Sequence, residues 1–220
     1  MKLYYFPVSP NSLRVTSTAY HLGIDLELEF IDIVAGKQLN NPEFEKLNPN
    51  HRIPTLVDGD FTLWECGAIM LYLAEKHPSP ALIPAEPRER MRMHQWMYWS
   101  ATSLWPAAWT LLWENFGKGP MKQSGGPDPV ALAKGQQDFH RYAKVLDHHL
   151  AGREYVLEGP TLVDHHLVAA LVHAKLAKLP LEGYPQIRRW SENLFAKDYW
   201  RRAFKDMELL PTELAGGKRT

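Results

Sequence analysis

The chain has 220 residues and a single cysteine, Cys66. One cysteine cannot close an internal disulfide, which fits a reducing compartment and leaves the fold to its apolar core. No Cys-x-x-Cys pair exists, so dithiol redox work is excluded. Charge of one sign is also lacking: Lys+Arg and Asp+Glu both count 25, a formal net charge of zero. Without a basic excess, no nucleic-acid partner is expected. No apolar run approaches the roughly 20 residues of a membrane helix, so no membrane partner is expected. Met1 to Pro10 carries one lysine and a short apolar stretch broken by Pro7 and Pro10, which does not make a signal peptide. A cytoplasmic protein is expected. There is no P-loop, dinucleotide glycine fingerprint, Gly-x-Ser-x-Gly elbow or His-Glu-x-x-His. The adjacent pairs His148-His149 and His165-His166 diverge on a helix, and no metal is expected.

What remains is a globular composition, 45% hydrophobic and 23% charged, in a chain long enough for one large domain or two small ones. The apolar run Lys2 to Phe6 predicts a buried strand. Asn11 or Ser12 can cap a helix that carries Leu13, Val15, Ala19 and Leu22 and ends at Gly23. Leu26 to Ile33 alternates as a second strand, which completes a βαβ unit. Phe44 and Leu47 suit a short helix. Ile53 to Val57 and Phe61 to Leu63 read as a hairpin across Asp58-Gly59-Asp60, and a helix follows from Glu65 to about Lys76. Residues 78–87 hold Pro78, Pro80, Pro84 and Pro87 and read as a linker.

Beyond the linker, helix signals dominate. Arg88 to Phe116 is a helical run in which Pro106 predicts a kink. Val130 to Leu150 is helical, Thr161 to Asp164 resembles a capping box with Asp in place of Glu or Gln, and short helices are expected over Pro185 to Phe195 and Lys197 to Phe204. Gly216 to Thr220 reads as a frayed tail. The expected architecture is a small α/β domain over 1–77, a linker over 78–87 and an all-α domain over 88–220.

The segment from His51 to Ile69 carries the clearest chemistry. Ile53-Pro54 opens one strand, a second strand follows, and Glu65-Cys66 begins a helix. Exposed backbone groups, a carboxylate and a helix N-terminus are thereby gathered, as a small zwitterionic peptide would require. With Ser9-Pro10-Asn11 and the Thr161 box, these motifs resemble the cytosolic glutathione transferase superfamily, more loosely its serine-using, theta-like and bacterial branches. The resemblance spans nearly the whole chain. It implies a thioredoxin-like first domain, a helical second domain, glutathione as co-substrate, a homodimer and a role in detoxification.

Activating glutathione means stabilising its thiolate, since a free thiol has a pKa near about 8.5. The Ser9 hydroxyl can donate to the sulfur, and a helix N-terminus follows it. Asn11 adds a second donor from the same loop. From spacing alone, Ser9 and Asn11 read equally well as turn and cap residues. Tyr5 stands where other branches place a catalytic tyrosine; Ser9 is preferred because of the adjoining helix.

The resemblance implies a cis Ile53-Pro54 bond, with the Ile53 backbone pairing with the cysteinyl unit of the ligand. It gives Glu65 the γ-glutamyl amine. Cys66 stands where serine usually holds the γ-glutamyl carboxylate, and S–H is a weak donor; a reactive thiol is the alternative there. His51 stands where glycine is usual. Arg52 is the choice for the glycine carboxylate, with Gln38 and Lys37 in reserve, since Leu39 and Asn40 replace a basic pair seen in related bacterial sequences.

In the helical domain, Trp109 and Trp113 are candidates for the wall of an apolar electrophile pocket. They lie at helical spacing with Trp105, a pattern that more often marks core or dimer contacts than a substrate wall. The expected reaction is conjugation, dehalogenation or thiol-dependent reduction. A glutathione-dependent isomerase, a non-catalytic binding module and a ligand carrier are the alternatives.

Overall fold

A computed structural model describes residues 1–34, 40–78, 81–121 and 125–208. Two compact units divide at Ala81 and Leu82. The first unit is built on a four-stranded mixed sheet of order β2-β1-β3-β4. Strand β1 (Lys2–Tyr5) pairs parallel with β2 (Glu27–Phe30) and antiparallel with β3 (Thr55–Asp58), which pairs antiparallel with β4 (Phe61–Trp64). This is the expected thioredoxin-like arrangement. β2 is shorter than the expected Leu26 to Ile33 because the register from Lys2↔Glu27 to Tyr5↔Phe30 uses up the whole of β1.

Helix α1 (Pro10–His21) starts earlier than expected. Pro10 takes a first-turn position, where its missing N–H is no loss, and Ser9 is the N-cap. Ser12, expected as a cap, instead accepts the Phe6 N–H on its Oγ at 3.2 Å. α1 packs against α3 (Cys66–Lys76) and against α10 (Asp198–Glu208). It is therefore buried on nearly every side, and Ser12, Arg14, Thr16, Ser17 and Thr18 go into the interior with Leu13, Val15 and Ala19. Two hydroxyls find acceptors within the helix: Thr18 Oγ1 and Ser17 Oγ donate to the Arg14 carbonyl at 2.8 and 3.3 Å. α10 groups with this first unit, although the sequence reading ran the helical domain to residue 220. The short α2 (Pro42–Leu47) is capped by Asn41 and packs Phe44 edge-on against Tyr4.

The second unit is helical. Its long run consists of α4 (Pro87–Trp99), a π-helical turn (Ser100–Leu104), α5 (Trp105–Leu112) and a second π-helical turn (Trp113–Gly117). Where the sequence predicts a kink at Pro106, the structure shows the first π turn just ahead of it. A proline ring clashes with the carbonyl four residues earlier and leaves that carbonyl without its donor, and a locally widened helix accommodates both. At the second π turn a Cβ on Gly117 would lie 2.6 Å from the Trp113 ring, so the ring lies directly over glycine. α5 packs on α6 (Pro129–His149), α4 on α7 (Leu162–Val168), and α6 on α9 (Pro185–Phe195). The four-residue α8 (Ala174–Ala177) packs near α5.

The Thr161 box forms as expected. Asp164 Oδ2 accepts the Thr161 N–H at 3.0 Å, while Oδ1 accepts the Val156 N–H at 2.9 Å and the Trp190 indole at 3.2 Å. Burial still pushes the Asp164 carboxyl up to about 6, against the lowering effect of these hydrogen bonds.

Candidate functional site

Three chain segments meet at one end of the sheet, and the strand registers dictate it. Tyr4 faces Thr55 in the β1–β3 ladder, so the end of β1 and the loop leading to Ser9 run beside Ile53 and Pro54. Thr55 faces Trp64 in the β3–β4 ladder, so Glu65 and Cys66 leave the sheet beside the same dipeptide. The N-termini of α1 and α3 thus converge: Cys66 Sγ lies 3.7 Å from Asn11 Oδ1. Two helix starts with their free N–H groups make this end of the sheet favourable for negative charge.

Ser9 is partly exposed and has an extended backbone, and its side chain makes no capping hydrogen bond. Its backbone is nevertheless fixed, with the N–H donating to Phe6 O and the carbonyl accepting from Leu13 N–H, both at 2.9 Å. Tyr5, the alternative, is buried at 6% exposure, and its phenol is pushed up first by burial and then by Asp206. Asp206 in turn accepts the Tyr20 hydroxyl at 2.5 Å.

The Ile53-Pro54 peptide bond is cis, as the resemblance implied. Ile53 lies beyond the last paired residue of β3. The turn before it is organised by the buried Asn48, whose Nδ2 donates to Arg52 O at 2.8 Å and to Thr55 Oγ1 at 3.0 Å, while its Oδ1 accepts the Asn50 N–H at 3.0 Å. Sequence reasoning assigned Asn48 no role; its place between a helix and a proline was the available signal. His51 takes φ 52°, in the left-handed region where glycine is favoured. Arg52 is exposed.

Glu65 is exposed and has φ 71° and ψ 115°, an uncommon conformation for a residue with a Cβ. Its carboxylate stands at the start of α3. Cys66 follows it into the interior. Gln38, Lys37 and Leu39 lie outside the described residues.

Arg14 is the residue that sequence reasoning missed. It is 1% exposed, and its Nη1 donates to Asn11 Oδ1 and reaches Cys66 Sγ at 3.9 Å. The signal was a lone arginine between Leu13 and Val15, in a helix whose middle is otherwise apolar and hydroxyl-bearing.

In the second unit Trp105, Trp109 and Trp113 form a ladder with ring centroids 5.6 and 5.8 Å apart. Trp109 is 41% exposed, so the ladder is not core. Trp96 and Trp99 use another face, where they meet His149 and Tyr142 of α6. Among the described residues no cluster of three or more metal-ligating side chains occurs, and no helix is long and apolar enough to cross a membrane.

Comparison with known proteins points to one family. Residues 1–75 match the family model of the glutathione S-transferase N-terminal domain, and residues 115–198 that of the C-terminal domain. The chain is 32% identical over 196 residues to glutathione S-transferase D7 of Drosophila melanogaster, covering 88% of this chain and 83% of that protein. Among solved structures, glutathione S-transferase III in its apo form superposes with a TM-score of 0.82 at 28% identity, covering 96% of this chain and 98% of the other. The transferase URE2P6 from Phanerochaete chrysosporium, solved with oxidized glutathione, gives 0.83 at 25% identity over 94% of this chain and 96% of the other.

Proposed function

The chain belongs to the glutathione S-transferase family, and from that premise we propose that it is a serine-type transferase. Ser9 and Asn11 stabilise the glutathione thiolate, which attacks an apolar electrophile. The observation that carries this reading is the convergence of the α1 and α3 starts at one end of the sheet, with an uncommitted hydroxyl at Ser9. A hydroxyl donor and two helix N-termini each favour the anion, and a two-unit drop in thiol pKa requires roughly 2.7 kcal/mol in total. The burial of Tyr5 supports Ser9 over the phenol, because of these two hydroxyls the one at Ser9 is the accessible one.

In the same reading Ile53 pairs its backbone with the cysteinyl unit, Glu65 takes the γ-glutamyl amine, and the backbone N–H of Cys66 takes the γ-glutamyl carboxylate. Exposed Arg52 takes the glycine carboxylate, with Gln38 as a further donor. Trp109 and Trp113 stack the electrophile. The outcome is conjugation, dehalogenation or thiol-dependent reduction, according to the leaving group. The active protein is a homodimer, located in the cytoplasm.

Calorimetry with glutathione, followed by turnover with an activated aryl halide, tests the reading. Binding with turnover supports it. Absence of both overturns it in favour of a non-catalytic module on the same fold.

A further inference from the structure

Arg14 lies beneath the site yet has no part in the mechanism above. Removing a guanidinium from water is costly unless polar groups meet its charge. Burial lowers its pKa, and the Cys66 sulfur opposes that. Among the groups that meet it are one from each helix start: Asn11 Oδ1 from α1 and Cys66 Sγ from α3. Cys66 Sγ in turn lies 3.7 Å from Asn11 Oδ1, which closes a triangle. The helix turn that carries Arg14 is itself fastened, because its carbonyl accepts from Thr18 and Ser17.

The triangle has a direction. A guanidinium has donors only, so the Asn11 atom facing it must be the carbonyl oxygen. The thiol of Cys66 also addresses that oxygen. Both internal contacts therefore fall on one end of the amide, and its NH2 group is turned away from the buried cation. Asn11 itself is partly exposed. The buried cation thus decides which end of Asn11 is presented beside Ser9.

We propose that Arg14 is a positioning residue for thiol activation: by holding the Asn11 oxygen and the Cys66 sulfur, it turns the Asn11 amide donor toward the glutathione sulfur. The inference rests on the assignment of Ser9 and Asn11 given above. Lysine cannot substitute fully, since a point charge lacks the planar fork of donors.

The test is the pH dependence of kcat/KM for an activated aryl chloride at saturating glutathione, whose acid limb reports ionisation of the bound thiol. It is measured in the wild type, Arg14→Met, Arg14→Lys, Asn11→Ala and the Arg14→Met/Asn11→Ala double variant. The acid limb is expected to move up by about one unit in Arg14→Met and in Arg14→Lys. In the Asn11→Ala background, Arg14→Met is expected to add no further shift, because the effect passes through Asn11. Equal additive shifts in the two backgrounds, or a lowered melting temperature with an unmoved acid limb, overturn the proposal. Should Arg14→Met fail to fold, Arg14→Lys keeps the buried charge and decides alone: a wild-type acid limb in that variant is the contradicting result. These failures leave wild-type turnover and its dependence on Ser9 intact. A wild type without glutathione turnover instead removes the site reading, and this inference with it.

Discussion

At the residue scale, the proposed site sets Ser9 and Glu65 at two helix starts beside an atypical Cys66. Ser9 has its backbone tied at both ends and its hydroxyl uncommitted to the cap. Ser9→Ala is therefore expected to lower kcat/KM by at least about tenfold, the loss of a charge-assisted hydrogen bond, with little change in melting temperature. A large drop in melting temperature would show the hydroxyl to be structural. Cys66 presents a weak donor and turns its sulfur toward Asn11 and Arg14. Cys66→Ser is expected to tighten glutathione binding by up to about tenfold by calorimetry, and an unchanged Kd would contradict the role given to this position. The cis Ile53-Pro54 bond and the places of Ser9 and Glu65 at the starts of α1 and α3 were legible in their motifs. Arg14 was not, because a charge inside an amphipathic-looking helix reads as solvent-facing until a third element covers it. Nor did any residue pattern announce the positive φ of Glu65.

At the scale of elements, punctuation by proline and glycine made the order of strands and helices legible. Proline opens α1, α2, α4, α6 and α9 at their first turns. The paired π turns were less so, since a widened turn has no residue signature beyond the Pro106 it accommodates. Gly117 supports the Trp113 ring within the second one. Gly117→Ala is expected to displace that ring, quench or shift tryptophan emission, and raise KM for the electrophile several-fold while leaving glutathione affinity unchanged. Equal effects on both substrates would remove Trp113 from the electrophile pocket. Asp164 at the head of α7 makes a different prediction. Its carboxyl lies near 3.8 ordinarily and about 6 in the fold. Between these values the folded chain keeps a proton that the unfolded chain has released. Its contribution to stability therefore falls as pH rises from about 4 to about 6 and is level on either side. In urea unfolding, the difference between wild type and Asp164→Asn should change across that window and nowhere else nearby. Asp164→Asn should also cost about 1–3 kcal/mol, because an amide NH2 would face the Thr161 N–H.

At the scale of the whole molecule, absence and pattern work together. Zero net charge, one cysteine and no long apolar run set expectations about partners and compartment before any motif was weighed. The α/β-then-helical division followed from where strand signals stop. The return of α10 to the first unit did not, because an amphipathic helix near the end of a chain does not specify which core it covers. Catalysis by this molecule turns on the charge state of one bound sulfur. Its most direct measurement is a spectroscopic pH titration of glutathione thiolate in complex with the wild type and with Ser9→Ala. The wild type is expected to ionise the bound thiol about two units below the free peptide, and Ser9→Ala to return most of that shift. A bound thiol that titrates like free glutathione in the wild type, or a full shift that persists without Ser9, would contradict thiol activation by Ser9.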